Sequence, residues 1–507
     1  MKKLLLLFTI CTLFCASLYA QTAEITGVRK NEFRGVRGIK NKGYYTFYIN
    51  EKVGKGMIEF MLEIYDLELK VIKKTPITIT KHSRLLGGEF NGKDFLFLFD
   101  DYQKKTNTFV TVDGDGNILK EEVRKMQKRT TVGTTEIYPS MDGDGFYITS
   151  MVKEKKWGYS VEKIDRNMSV LWEKTVTRDK GIIGIDAAET GKGQLILITV
   201  ERPALMSKKV LGNIVCMDGK DGKEKFQYPL FDGKTTGIPS AFLIDKEGNI
   251  VTAGMYFDGE KWDNTNSDGI FFLKLSKDGK KLAYNSIDWD NGIQQALKAT
   301  SRKFSIGSKP KVLFHEIVQA PTGEYQIISE TYRKTVKLGT VLSMMNNSSE
   351  PPPMGFTVMD YIIFNYDNNG KPLDINKIEK PYKSITVDGN IANSGGVALA
   401  YYMKRYKMFT FEFATKLTTS EQVIVYSNYE DETIGAGKPY VGITTITPGK
   451  ESVTTKIPLE RKLAKFVQSP SAESKTGALE GKPGKVCIYF YDKKTKTINF
   501  AIEDLKL

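Results

Sequence analysis

The residues with the clearest chemical potential stand in a turn. Asp113-Gly114-Asp115-Gly116-Asn117 places oxygen-bearing side chains at alternate positions, a spacing that can ligate calcium. A calcium loop of the EF-hand type also needs Gly sixth and Glu twelfth, where this chain has Ile118 and Arg124. The Asp-Gly and Gly-Asn pairs equally make a tight hairpin turn, and that reading is preferred. Histidine offers little more. His82 and His315 are the only two, and neither has metal-ligand spacing. His315-Glu316 falls on an expected innermost strand, where an acid–base pair can face a central channel. A histidine packed between neighbouring sheets is the preferred reading. With 60 Asp and Glu and no marked motif, no carboxylate pair for glycan chemistry can be picked out. G-x-S-x-G and H-E-x-x-H are both absent. No catalytic residue, metal ligand or cofactor is assigned.

Two loops have binding-type composition. Tyr256-Phe257-Asp258-Gly259-Glu260-Lys261-Trp262-Asp263-Asn264 sets aromatics beside carboxylates and amides. Tyr256, Trp262, Asp263 and Asn264 are its candidate ligand contacts, with Trp262 shaped to stack on a sugar or anchor a protein. Met344-Met345 and Met354 flank Pro351-Pro352-Pro353 and form an adaptable apolar patch beside a stiff segment. The competing reading is that these side chains fold down over the scaffold.

The elements that must position these residues are strands. Runs rich in Val, Ile, Thr, Tyr and Phe alternate with Gly, Asn and Asp turns along almost the whole chain. Leu85–Phe90, Asp94–Phe99, Thr108–Val112 and Ile118–Val123 form one four-stranded meander, and the same grammar recurs. The last unit supplies only Phe466–Ser469, Lys485–Tyr491 and Thr497–Asp504, while Thr22–Val28 is spare at the start. Pairing the two ends removes a free sheet edge. The expected fold is all-β: a single β-propeller of eight four-stranded blades, with seven as runner-up, closed by N- and C-terminal strands. The chain resembles the β-propeller class through this repeat over residues 21–507. It lacks the Gly-His…Trp-Asp signature of WD40 repeats, the Ser-x-Asp-x-Gly-x-Thr-Trp box of sialidase-type propellers and the repeated Trp of the quinone-dependent dehydrogenases. An exported propeller family outside those three is expected. Short helices are expected at Gln294–Ser301 and Val397–Tyr406.

Tight turns fall on one face of such a ring. The long insertions, at 290–311, 334–355 and 384–407 among others, fall on the opposite face above blades four to seven, where function is expected.

Residues 1–20 read as a secretory signal peptide, with Lys2-Lys3, an apolar Leu4–Phe14 and a cleavage end at Ser17-Leu18-Tyr19-Ala20. No later run is long enough to span a bilayer. An exported protein, periplasmic or extracellular, is expected. Cys216 and Cys487 fall on opposite sides of the ring, too far apart to bridge, so two buried thiols are expected. The formal charge of +14 is dispersed, a solvated surface with affinity for anionic partners at most. Nucleic acid is not an expected partner. The lead expectation is a non-enzymatic binding or scaffold propeller for a glycan or cell-envelope protein. The rival is a carboxylate-based hydrolase or lyase acting on an extracellular polymer. Oligomeric state is open.

Overall fold

The structure, a computed structural model, describes residues 21–29, 33–39, 41–126, 135–153, 156–204, 209–260, 267–295, 311–320, 322–335, 354–389, 396–405, 408–416, 421–430, 439–446, 452–459, 476–492 and 494–505. The expected signal peptide, Trp262, Asp263, Asn264, Met344, Met345 and the strand Phe466–Ser469 lie outside them, as do most of the 290–311 and 334–355 insertions and part of the third.

Eight antiparallel sheets form the ring. Blade 1 is Phe33–Ile39, Gly43–Val53, Met57–Asp66 and Val71–Thr80, from the channel outward. Blade 2 is Ser83–Phe90, Asp94–Asp101, Thr106–Asp113 and Ile118–Lys125. Blade 3 is Glu136–Pro139, Phe146–Lys153, Trp157–Ile164 and Val170–Arg178; blade 4 is Ile182–Gly191, Gln194–Arg202, Leu211–Asp218 and Glu224–Pro229. Blade 5 is Thr235–Ile244, Ile250–Asp258, Gly269–Leu275 and Lys281–Asp288; blade 6 is Lys311–Gln319, Tyr325–Thr335, Met354–Tyr366 and Pro372–Ile378. Blade 7 is Phe411–Lys416, Gln422–Tyr429, Pro439–Ile446 and Val453–Pro458. Blade 8 takes Thr476–Glu480, Lys485–Asp492 and Thr497–Asp504 from one end of the chain and Gln21–Ile25 from the other. The N-terminal strand pairs antiparallel with the last one, from Gln21 opposite Ile502 to Ile25 opposite Ile498. The eight-bladed, end-paired ring expected from the repeat is therefore observed. Its last inner strand is Thr476–Glu480.

Strand residues point alternately to the two faces of a sheet. In a propeller both faces of the middle strands are covered by neighbouring blades. Asp94–Asp101 and Gly269–Leu275 accordingly read as unbroken buried runs, while the outer strand Val170–Arg178 alternates exposed and half-buried. Each gap between successive blades holds one apolar cluster. Ile39, Phe47 and Phe60 of blade 1 meet Phe95, Phe97 and Phe99 of blade 2. Val36, Tyr44 and Tyr65 of blade 1 meet Tyr489, Phe500 and the N-terminal Ile25 at the closure. Cys216 and Cys487 are free and buried, in blades 4 and 8.

The recurring turn is a stitch. In the turns after Met57–Asp66, Thr106–Asp113 and Met354–Tyr366, the Asp N–H donates to the residue four on, and the fourth residue donates back to the Asp carbonyl. That fourth residue, Leu69, Gly116 or Gly370, has positive φ, as a type I turn with a left-handed bulge requires. The Asp carboxylate is spent inside the turn: Asp113 accepts from Asp115 N at 3.0 Å, Asn117 N at 2.7 Å and Asn117 Nδ2 at 3.0 Å. The turn carbonyls then accept from the preceding blade. Thr75 Oγ1 donates to Gly116 O and Asn285 Nδ2 to Gly370 O. Trp172 Nε1 and Lys163 Nζ donate to Gly219 O at 3.2 and 2.7 Å. The first-to-second turns on this face repeat the pattern, with Lys42 Nζ to Gly92 O at 2.7 Å and Asn91 Nδ2 to Gly145 O at 3.0 Å.

One segment departs from the repeat. The second and third strands of blade 6 run on past the outer strand, and Lys383–Val387 pairs with Met354–Val358 as a fifth strand. A helix, Gly396–Arg405, follows. Leu399, Ala400 and Met403 pack with Leu313, Tyr332, Phe356, Ile385 and Phe409, a ninth cluster beneath an annex on the loop-rich face. The helix was expected from its composition and the fifth strand was not. Of the other expected helix, Gln294–Ser301, only residues 294–295 are described; they are helical and follow one π-type turn, Trp289–Ile293.

A side chain at Gly279 tests the stitch. Its φ is +81°, and a Cβ there would stand 2.5 Å from Phe226 Cγ of blade 4. Gly279→Val is expected to cost roughly 2–4 kcal/mol in urea unfolding, from left-handed strain plus overpacking. Gly54→Ala, at φ +64° with nothing within 4 Å, is expected to cost only the backbone part, about 1 kcal/mol.

Candidate functional site

Ionisable side chains from the inner strands face one another around the axis. Tyr138 of blade 3 feels Glu89 of blade 2 and Asp186 of blade 4, the blades on either side of it, and its hydroxyl donates to Glu136 at 2.6 Å. Burial, with Glu136 beside it, holds Asp186 above the usual carboxylate range, while Arg202 pulls it down. Asp186 is nonetheless exposed, as a group enclosed by protein but open to a channel must be. It occupies a β-bulge that skips it between Ile185 and Ala187, and the inner strand of blade 6 skips His315 at the matching place. A bulge re-aims its side chain out of the ladder alternation.

Lys404 of the annex helix reaches this space. Its Nζ donates to His315 O at 3.1 Å and to Phe314 O at 3.4 Å. Its charge acts on Glu316 of blade 6 and Glu189 of blade 4. Those blades are not adjacent, so the three groups meet across the channel. Burial pushes Glu189 from 4.5 to about 7, against a backbone hydrogen bond from Thr190 and the attraction of Lys404.

The sequence-selected His315-Glu316 pair splits between two environments. Glu316 belongs to the channel group. His315 lies between blades 6 and 7, stacked on Phe411 at 4.5 Å. Its Nε2 bonds Glu330 Oε2 at 2.9 Å, and burial keeps the ring below its ordinary pKa. Glu330 is fully buried and also receives Thr410 Oγ1 at 2.6 Å, with Lys380 Nζ at 2.8 Å. Burial raises its pKa, but Lys380 and His315 outweigh that and take it down to about 2. This node is saturated by its neighbours and binds blade to blade. The histidine is thus packed between sheets, the preferred reading of it.

On the loop-rich face, the gap between blades 4 and 5 ends in tyrosines. Tyr256 is 9% exposed, its ring lying across Gly269, where a Cβ would stand 2.5 Å from Cε1. It belongs to the cluster of Ile198, Ile214, Leu230 and Phe271, with Tyr228 against its edge. Tyr284 stacks on Phe271 at 6.2 Å and is 36% exposed. Tyr256 is therefore a strand residue with a buried ring rather than a loop side chain. Burial, with Asp288, Asp258 and Asp268 nearby, pushes its hydroxyl up to about 12. The 258–268 loop leaves and returns at this rim, since Asp268 N donates to Tyr256 O at 3.0 Å and Asp258 N to Asp268 Oδ2 at 2.9 Å. The other sequence-selected loop residues lie outside the described residues, so the structure does not bring the set together. The channel carboxylates and Lys404 carry no local motif. Only the fold assembles them.

A family model described as a family of unknown function, DUF6770, matches residues 1–506. A search of curated proteins returns no match. Among solved structures, the chain is similar to one described as "Crystal structure of the eukaryotic initiation factor", at 8% identity and TM-score 0.37 over 84% of this chain and 88% of that one. It is similar to "YCF48 bound to D1 peptide" at 10% identity and TM-score 0.34, covering 97% and 98%. It is also similar to prolyl oligopeptidase B from Galerina marginata, at 10% identity and TM-score 0.40, covering 94% of this chain and 56% of that one.

The two enclosed carboxylates predict opposite pH behaviour. Glu189 is raised, so the folded state holds its proton more tightly and stability falls as pH rises from 4.5 to about 7. Glu189→Gln is expected to remove that slope in urea midpoints taken from pH 4.5 to 8. Glu330 is depressed, so its stabilisation is present above 4.5 and lost as pH falls toward about 2. Glu330→Ala leaves Lys380 buried without a counter-ion and is expected to cost roughly 3–5 kcal/mol at pH 7.

Proposed function

The chain belongs to the DUF6770 family, of unknown function, and for it we propose an exported, non-enzymatic binding propeller that holds a glycan of the cell envelope on its loop-rich face. The observation that carries this reading is the tyrosine rim between blades 4 and 5. Tyr284 is exposed and acts electrostatically on Tyr256, Tyr228 is half-buried against the same cluster, and the Tyr256 carbonyl anchors the return of the chain at Asp268. Aromatic faces with carboxylates at their edge suit a polyhydroxylated ligand, which offers flat C–H patches and many hydroxyl donors. The tight-turn face is taken up by contacts between blades, whereas the annex lies on the opposite face, where the long connections leave and rejoin their strands. Rigid scaffolds commonly place binding residues on such connections. An envelope protein docking on the same face is the partner version of the proposal. Export rests on the leader-like residues 1–20 alone. Among the described residues no helix is long and apolar enough to cross a membrane.

A hydrolase or lyase reading draws support from the channel, because a carboxyl group with a pKa near 7 has the poise of a general acid. It requires a polymer to reach Glu189, with Asp186 or Glu316 as the second carboxylate.

A glycan array separates the two. Wild-type protein is expected to retain one class of glycan, with retention falling at least tenfold in Tyr284→Ala and in Trp262→Ala, and no reducing ends released on prolonged incubation. Release of reducing ends that stops in Glu189→Gln would establish the enzyme instead. Unchanged retention in both aromatic variants would move the site off this rim.

A further inference from the structure

The geometry points to a covalent cross-link inside blade 6: an isopeptide bond between the Lys377 amine of the outer strand and the Asp360 carboxyl of the third strand, formed by the chain itself.

The groups that this reaction needs stand together on one face of the blade. Tyr361 lies opposite Ile378 and Ile362 opposite Lys377. Strand alternation then puts Asp360, Ile362, Ile375 and Lys377 on the same side. Ile362 and Ile375 belong to the apolar cluster shared with blade 5, so that side is turned into the gap between the two blades. The side chains of Lys377 and Asp360 are 2% and 1% exposed. Glu379 follows the outer strand and is more open, at 34%, and its Oε1 accepts from Lys377 Nζ at 3.0 Å.

The approach of Lys377 to Asp360 differs from that of an ordinary ion pair. Nζ stands 3.6 Å from Oδ2, beyond hydrogen-bond reach. The carboxyl accepts from other donors instead, Oδ1 from Lys380 N at 3.3 Å and Oδ2 from Tyr382 OH at 3.4 Å. Lys163 of blade 3 shows the ordinary case. It is equally buried, but it donates to Asp144 at 2.6 Å, and that carboxylate is 52% exposed. Burial lifts Asp360 above the usual carboxylate range, against the attraction of Lys377. In so dry a site two charges are costly, and passage of one proton from Nζ to the carboxyl leaves a neutral amine beside a neutral acid. Those are the forms that react with each other.

The step balances without an oxidant or a reductant. The Nζ lone pair attacks Asp360 Cγ and a C–N bond forms. Lys380 N donates to Oδ1 as charge builds there. Glu379 takes a proton from Nζ and returns it to the hydroxyl departing as Oδ2, whose bond to Cγ breaks. One water leaves and an amide remains. The bond clamps an edge strand to the strand that carries the annex, since Met354–Val358 at the other end of the third strand pairs with Lys383–Val387. Cys216 and Cys487 are free, so no disulfide does this work among the described residues.

Chymotrypsin cuts after Tyr361, Phe364 and Tyr366, between the two residues, so mass spectrometry of a digest of the full chain reads the bond directly. Wild type is expected to give one branched peptide that joins the Asp360 and Lys377 segments and is lighter by one water than the two linear peptides together. Asp360→Ala and Lys377→Met are each expected to abolish it. Glu379→Gln, at the more open position, leaves both partners in place. It is expected to fold as wild type does by circular dichroism and to yield chiefly the two linear peptides. Linear peptides alone from folded wild type overturn the cross-link and leave a buried ion pair. A branched peptide formed as fully in Glu379→Gln as in wild type overturns the proton path through Glu379.

Discussion

The ring depends on one contact repeated between neighbours: a donor from one blade reaching a turn carbonyl of the next. A tight turn leaves carbonyls pointing outward at a strand end, and a buried carbonyl without a donor is costly. Thr75, Trp172 and Asn285 each supply that donor from the outer part of their own blade. The apolar clusters between blades are non-directional and would tolerate sliding. The turn contacts are directional and fix the height of each blade against the next. That constraint explains why the turn recurs so regularly, with Asp spending its carboxylate locally and a left-handed residue closing the loop.

A face used for stitching is not free to vary, and this sets the polarity of the molecule. Insertions on the turn face would break contacts between blades. On the opposite face the chain can lengthen at little cost, since loop closure entropy grows slowly with length. Blade 6 exploits this with a fifth strand and a helix over their own apolar cluster. The helix then delivers Lys404 to the channel, so an insertion that begins as packing ends as electrostatics.

The legible part of this fold was the part written locally. Asp-x-x-Gly turns and alternating strands mark each blade, and counting them located the end pairing and the separation of Cys216 from Cys487. What escaped reading is non-local. Lys383–Val387 pairs across an insertion with Met354–Val358, which no short-range pattern announces. Thr476–Glu480 contains two residues, Gly477 and Glu480, that do not favour strands, and the blade supplies the pairing. Tyr256 sits beside a loop of binding-type composition, but its strand continues to Asp258, so its ring turns into the cluster between blades 4 and 5. The channel group draws on blades 2, 3, 4 and 6, and no window of sequence contains it.

Saturation separates structural polar groups from available ones. Glu330 is as buried as any carboxylate here, yet Thr410, His315 and Lys380 use its lone pairs, so it holds two blades together and has little left for a ligand. Asp113 looks exposed and ligand-ready in sequence, but three donors of its own turn occupy it. Glu189 differs. Among the described residues its one hydrogen bond is from Thr190 N at 3.3 Å, Lys404 acts on it from a distance, and burial outweighs both and raises it out of its ordinary titration range. A fold stitched by saturated contacts can carry a few unsaturated ones, because their cost is spread over eight blades. The buried hydroxyls of Tyr44, Tyr366 and Tyr440, without a hydrogen-bond partner among the described residues, lie inside blades 1, 6 and 7, whereas Glu189 opens on the channel. Unsaturated polarity is therefore spread around the ring, and the channel is where a ligand can reach it.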